Sequence, residues 1–133
     1  MQVPGKLVHV ENMRMRWGEG DALGHMNNTV YFRYLEQARI SWFDSLGIDY
    51  SVEGPILGSI SCRFRIPVVY PADLAVSIHV SNARNSSFTL ASAITNQSDD
   101  RVYATAEAVM VWIDLAQGKS RPLPDWLRDL IQS

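Results

Sequence analysis

The chain has 133 residues, 47% of them apolar and 20% charged, and a formal net charge of −2. That length fits one domain, 1–133, and that apolar share builds a core, which excludes a wholly disordered chain. The near-neutral balance excludes wholesale coating of nucleic acid, while leaving room for a small basic patch that holds one anionic ligand.

The lone cysteine, Cys62, rules out an internal disulfide and a cysteine-built zinc site, and points to a reducing compartment. Met1 to Lys6 lacks the apolar stretch of a signal peptide, and no apolar run reaches the length that spans a bilayer. The expectation is a soluble cytoplasmic protein with no membrane partner. A domain this small exposes much surface for its volume, so an oligomer would bury more.

Leu7 to Trp17 alternates towards its end, with Met13, Met15 and Trp17 on one face and Arg14 and Arg16 on the other, which predicts a half-buried strand. Gly18 to Gly24 is a loop. From Asn28 to Leu46 there is no Gly or Pro, and Gly47 stands where a helix-terminating glycine belongs. Tyr31, Leu35, Ala38, Trp42 and Leu46 form a stripe that Val30, Tyr34 and Phe43 widen, so this helix should bury a broad face against a sheet. Ile56 to Ile66 alternates, with Ile60, Cys62, Phe64 and Ile66 inward and Ser59, Ser61, Arg63 and Arg65 outward. Pro67 and Pro71 bracket a break. Leu74 to Val80, Phe88 to Thr95 and Val102 to Leu115 complete the strands, and Pro124 can open a short last helix, 125–131. Short turns between strands favour antiparallel pairing. The fold class is α+β: an antiparallel sheet of about five strands with one dominant helix on one face.

The densest polar cluster, Glu19, Asp21, His25, Asn27 and Asn28, lies between the first strand and the long helix. Loops on rigid scaffolds are where sites sit. A helix start leaves unpaired backbone N–H groups and a partial positive charge, which suit a carbonyl oxygen gaining negative charge. A nearby carboxylate can activate water or attack directly. Spacing alone also admits a bland reading. In that reading Asn27 and Asn28 cap the helix, Asp21 fixes the turn and His25 is structural.

The run Arg16-Trp17-Gly18-Glu19-Gly20-Asp21-Ala22-Leu23-Gly24-His25-Met26-Asn27-Asn28, followed by Tyr31, Tyr34, Glu36, Ala38 and Arg39, resembles the acyl-CoA thioesterases of the hydroxybenzoyl-CoA thioesterase type. Phe64-Arg65-Ile66-Pro67-Val68, Pro71-Ala72-Asp73-Leu74, Arg84 to Phe88 and Pro122-Leu123-Pro124 extend the likeness over nearly the whole chain. The resemblance implies a hotdog fold, a sheet wrapped round one long central helix. It implies hydrolysis of an acyl-CoA to acid and CoA with no cofactor and no metal. It implies a homo-oligomer, a dimer or a dimer of dimers, whose site is shaped by two subunits. By position, Asp21 matches the family's catalytic aspartate, as nucleophile or general base. Asn28 starts the helix whose backbone N–H polarises the carbonyl, with Asn27 beside it. Gly24 lets the backbone approach closely, and His25 orients water or substrate, as in similar plant acyl-carrier thioesterases that use an Asp, Asn and His group. Glu19 replaces an aspartate common in relatives, and Ala72 replaces a glycine.

Arg63, Arg65 and Arg84, with Lys119 and Arg121, are candidate cations for the CoA phosphates, and Asn85 and Ser86 are candidate turn donors. Glu36 and Arg39 stand three apart and are expected to pair on the helix, although related hotdog enzymes also place a carboxylate there. Cys62 reads as a small buried apolar group. An acyl-carrier-protein thioesterase and a non-catalytic acyl-CoA-binding module are the alternatives.

Overall fold

The computed structural model describes residues 3–133; the expectation for Met1 and Gln2 lies outside the described residues. The strands β1 (Lys6–Arg14), β2 (Glu53–Phe64), β3 (Asp73–Ser81), β4 (Ser87–Asn96), β5 (Val102–Asp114) and β6 (Lys119–Ser120) form one sheet. Its order is β1-β3-β4-β5-β2, every pairing is antiparallel, and β6 adds to β5. The helices are α1 (Asn28–Asp44) and α2 (Asp125–Gln132). The sheet thus has six strands rather than about five, and the short helix expected after Pro124 accompanies the long one as α2.

The apolar periodicities account for the core. Leu74, Val76, Ile78 and Val80 of β3 and Phe88, Leu90 and Ile94 of β4 are buried on one face. Small side chains at Ser92, Ala104, Ala106 and Ala108 on that face leave room for the large residues of α1. Tyr31, Tyr34, Leu35, Ala38, Trp42 and Phe43 fill it. Tyr31 meets Phe64 of β2 edge-on at 4.9 Å between ring centres, and Phe43 meets Phe88 at 6.4 Å. Burial on this scale, at about 25 cal/mol per Å² of apolar surface, is what holds a helix whose own propensity would not suffice.

Two sequence expectations are corrected. The first strand stops at Arg14, because the chain turns at Met15, whose N–H donates to Ala72 O at 2.9 Å. Trp17 therefore leaves the buried face and is 84% exposed. The helix ends at Asp44 with Ser45 as its C-cap, and Gly47, at φ 70°, follows two residues later.

β2 is an edge strand, and its inward face is only partly covered. Phe64 is 47% exposed, and Ile56, Leu57 and Ile66 are also exposed. Among the described residues, no helix is long and apolar enough to cross a membrane.

Candidate active site

The loop between β1 and α1 is stitched at several points. Asp21 N–H donates to His25 O at 2.6 Å, and Gly24 N–H to Asp21 O at 3.0 Å. Asp21 Oδ1 accepts from the N–H groups of Leu23 at 2.9 Å and His25 at 3.1 Å. Aspartate suits this role because its short carboxylate reaches the backbone two residues on. Asp21 is exposed, and its Oδ2 accepts no hydrogen bond among the described residues. One carboxylate oxygen is thus spent on orientation while the other stays available.

A second stitch joins the loop to the segment after β2. Met26 N–H donates to Val68 O at 2.7 Å, and Val68 N–H donates to the Tyr31 hydroxyl at 3.3 Å. Burial raises the Tyr31 phenol above its ordinary value, so it stays protonated. Asp21, His25, Asn28, Tyr31, Phe64 and Arg65 come together round a cleft of about 350 Å³.

At the helix start, Asn27 is the N-cap. Its side-chain oxygen accepts from Thr29 N–H at 3.1 Å and from Thr29 Oγ1 at 3.0 Å, and its carbonyl accepts from Val30 N–H. The bland reading of Asn27 is the observed one. Asn28 differs: its backbone N–H has no acceptor among the described residues, and the residue lines the cleft. An unpaired N–H at the positive end of a helix dipole, beside a carboxylate with one free oxygen, can polarise a carbonyl and present a base to it.

Gly24 has φ 79°, a left-handed conformation that favours glycine, but nothing lies within 4 Å of a Cβ built there. The turn itself calls for glycine there. Ala72, which the resemblance sets against a glycine, does not adopt positive φ, so its side chain is tolerated.

The candidate cations separate. Arg65 lines the cleft with Asp21. Arg63 lines a different, outer depression with Ser61 and Glu107. Arg84 and Ser86 lie in the β3–β4 turn, at the far end of nine-residue β3 and hence about 30 Å of strand from the Asp21 loop. Their backbones are engaged there: Arg84 O accepts from Arg128 Nη2, and Ser86 O accepts from Trp112 N–H. Within one chain the fold does not bring them to Asp21. Arg121 instead approaches Glu53 at 3.8 Å.

Glu36 and Arg39 do not form the expected ion pair: no oxygen–nitrogen approach within 4.0 Å joins them. Cys62 is half-buried, and burial pushes its thiol up, away from nucleophilic character. Among the described residues no group of three or more His, Cys, Asp or Glu could hold a metal ion.

Sequence reasoning missed one arrangement. Glu19 Oε1 accepts from the Tyr34 hydroxyl at 2.5 Å and from Arg16 N–H at 2.6 Å, while Glu19 O accepts from Asn27 N–H at 2.9 Å. This clasp ties both ends of the Asp21 loop to α1. The signal was the carboxylate at position 19, but its partner stands 15 residues away across the loop.

Fold and site together define a class that comparison with known proteins identifies. The chain belongs to the thioesterase-like superfamily, whose family model matches residues 15–131, and is a thioester hydrolase of hotdog fold. Its backbone is similar to that of the PA2801 protein from Pseudomonas aeruginosa, with a TM-score of 0.88 and 36% identity over 95% of this chain and 99% of that one. YsmA from Bacillus subtilis is 30% identical over 80% of this chain and 73% of its own length. The long-chain acyl-CoA thioesterase FadM from Escherichia coli is 26% identical over 84% of this chain and 88% of its own length.

Proposed function

We propose that the protein hydrolyses an acyl-CoA thioester to a free carboxylic acid and CoA, and that it works as a homodimer. The observation that carries this reading is the pairing, in one cleft, of the unengaged Asn28 N–H with an aspartate whose Oδ2 is free. The likeness to FadM supports CoA as the thiol carrier.

The thioester oxygen accepts the Asn28 N–H. Asp21 takes a proton from water as the hydroxide oxygen bonds to the carbonyl carbon. The C–O π bond opens to an oxyanion, which the helix terminus stabilises. The oxyanion then collapses, the C–S bond breaks, and the thiolate leaves with its electron pair and is protonated. If Asp21 is instead the nucleophile, its oxygen bonds to the carbon, the thiolate leaves, and water cleaves the resulting anhydride. Asp21 is regenerated in both routes. His25 orients the water, Asn27 and Gly24 hold the helix start and the turn, and Arg65 is the cation closest to the bound CoA. Arg63, Arg84 and Ser86 serve CoA only as groups approaching from elsewhere in the assembly. Tyr31, Phe64 and Ile66 give the acyl group an apolar wall.

Dimerisation is supported by β2. A 12-residue edge strand with Ile56, Leu57 and Phe64 exposed is a template for pairing with another strand.

The test is thiol release from a panel of acyl-CoA substrates. Asp21→Asn keeps an oxygen for the loop N–H groups but loses the base, so kcat should fall by about 100-fold or more while the fold persists. Unchanged turnover in Asp21→Asn would refute the role of Asp21.

A further inference from the structure

Arg39 is 7% exposed, yet it has no ion pair and no side-chain hydrogen bond among the described residues. Among those residues, no side-chain nitrogen sealed from solvent lacks a partner. What remains open of Arg39 therefore includes its guanidinium. The opening is a cleft of about 260 Å³ between α1 and β2, lined by Phe32, Arg33, Glu36, Arg39, Leu57 and Ile60. An arginine buried without a counter-charge is costly, and such charges are retained where a partner completes them. Burial holds this guanidinium below its ordinary value, with Glu36 opposing the shift.

Glu36 is exposed and lies one turn before Arg39, about 4.5 Å along the helix axis. The same strip of α1 thus presents one unpaired negative group, Glu36, between the exposed Arg33 and the buried Arg39, and of the two cations it is the buried one that needs a counter-charge. That is the requirement of a two-fold interface, where residue i meets j and j meets i. The strip adjoins the exposed side chains of the β2 edge, so one surface carries both an apolar ribbon and a self-complementary charge pair.

We propose that a second copy of this chain occupies this cleft, with Glu36 of each protomer paired to Arg39 of the other across a two-fold axis. This rests on the homodimer of the preceding section and specifies its register. It also explains why the two residues do not pair within one chain.

Charge exchange tests it on the full-length protein by sedimentation equilibrium. The wild type should be a dimer. Glu36→Arg makes positions 36 and 39 both positive, and Arg39→Glu makes them both negative, with Arg33 unchanged in each. Each alone should dimerise about a hundredfold more weakly, since symmetry breaks two pairs at once. Mixed in equal amounts they should recover a heterodimer, because every contact is then of opposite sign. A pairing within one chain cannot be rescued by mixing, so failure of the mixture to dimerise would overturn the proposal. Glu36→Lys covers the case in which Arg39→Glu does not fold. Glu36 is exposed, so that chain folds, and an unweakened dimer would refute the pairing while leaving the homodimer standing. A monomeric wild type would overturn both.

Discussion

Truncating Glu19 to alanine opens the clasp that holds the Asp21 loop. Two hydrogen bonds are lost, and they are unequal. Arg16 is exposed, so water replaces the carboxylate at its N–H. Tyr34 is 3% exposed, and its hydroxyl keeps only Arg14 O at 3.3 Å. A hydrogen bond to a charged acceptor contributes about 1.5–3 kcal/mol, so the Tyr34 bond dominates and the variant should lose about 2–3 kcal/mol. In a chain of this length that lowers Tm by about 8–12 °C. The catalytic effect follows from position: a displacement of about 1 Å at a reacting group costs up to about 100-fold in rate. We expect kcat to fall about 10- to 100-fold with KM within about threefold, because the cleft walls that bind substrate are untouched. Calorimetry and thiol release read both quantities. Tyr34→Phe breaks the same bond from the other side, so in the double variant the losses should fall short of additive by about 1–2 kcal/mol. The pair also has a pH signature. Burial, with the Glu19 carboxylate next, pushes the Tyr34 phenol above its ordinary value of 10.0. The fold resists the phenolate, so its contribution is intact below pH 10 and is lost as pH rises beyond it. Removing Glu19 should soften that alkaline loss. A Glu19→Ala protein that melts within about 2 °C of wild type and keeps its kcat would refute the clasp.

Two further outcomes follow from local physics. Asn27→Ala removes the N-cap and should cost about 1 kcal/mol by urea denaturation, and rescue by Asn27→Asp or Asn27→Ser would separate capping from catalysis. His79 is held below its ordinary value of 6.5 by burial, with a hydrogen bond from the ring to the Gly5 backbone opposing. Its contribution is therefore complete above pH 6.5 and falls as pH drops below it, a loss that urea midpoints should show shrinking in His79→Gln.

The parts legible from the sequence were those set by local periodicity. The inward faces of β3 and β4 are the alternating apolar positions, and the buried stripe of α1 is Tyr31, Leu35, Ala38 and Trp42 with Tyr34 and Phe43 beside it. Trp17 misled because alternation continues past Arg14 in the letters while the chain has already turned at Met15 to reach Ala72, a contact set by the β1–β3 crossover pairing. Arg39 misled in the same way. An (i, i+3) spacing says that two side chains share a helix face, but not that they meet, and here the surrounding sheet draws one of them inward.

The cations make the deeper case, because part of their placement was readable. Successive antiparallel strands put alternate turns at opposite ends of a sheet, so the β3–β4 turn with Arg84 and Ser86 must lie away from the β4–β5 turn. What the letters do not contain is that β1 crosses to pair with β3 so that Arg14 meets Asp73. That pairing brings the Asp21 loop to the start of β3, beside Val68 and Arg65, and leaves Arg84 at the other end. A net charge of −2 is compatible with binding a polyanion only if a few arginines converge, and one protomer brings Arg65 alone of the seven phosphate-and-turn candidates to the cleft. In the proposed homodimer, a neighbouring protomer is the expected source of the remaining phosphate contacts. Arg84→Ala should then raise KM for acyl-CoA with little change in kcat, and no change in KM would place the CoA phosphates elsewhere.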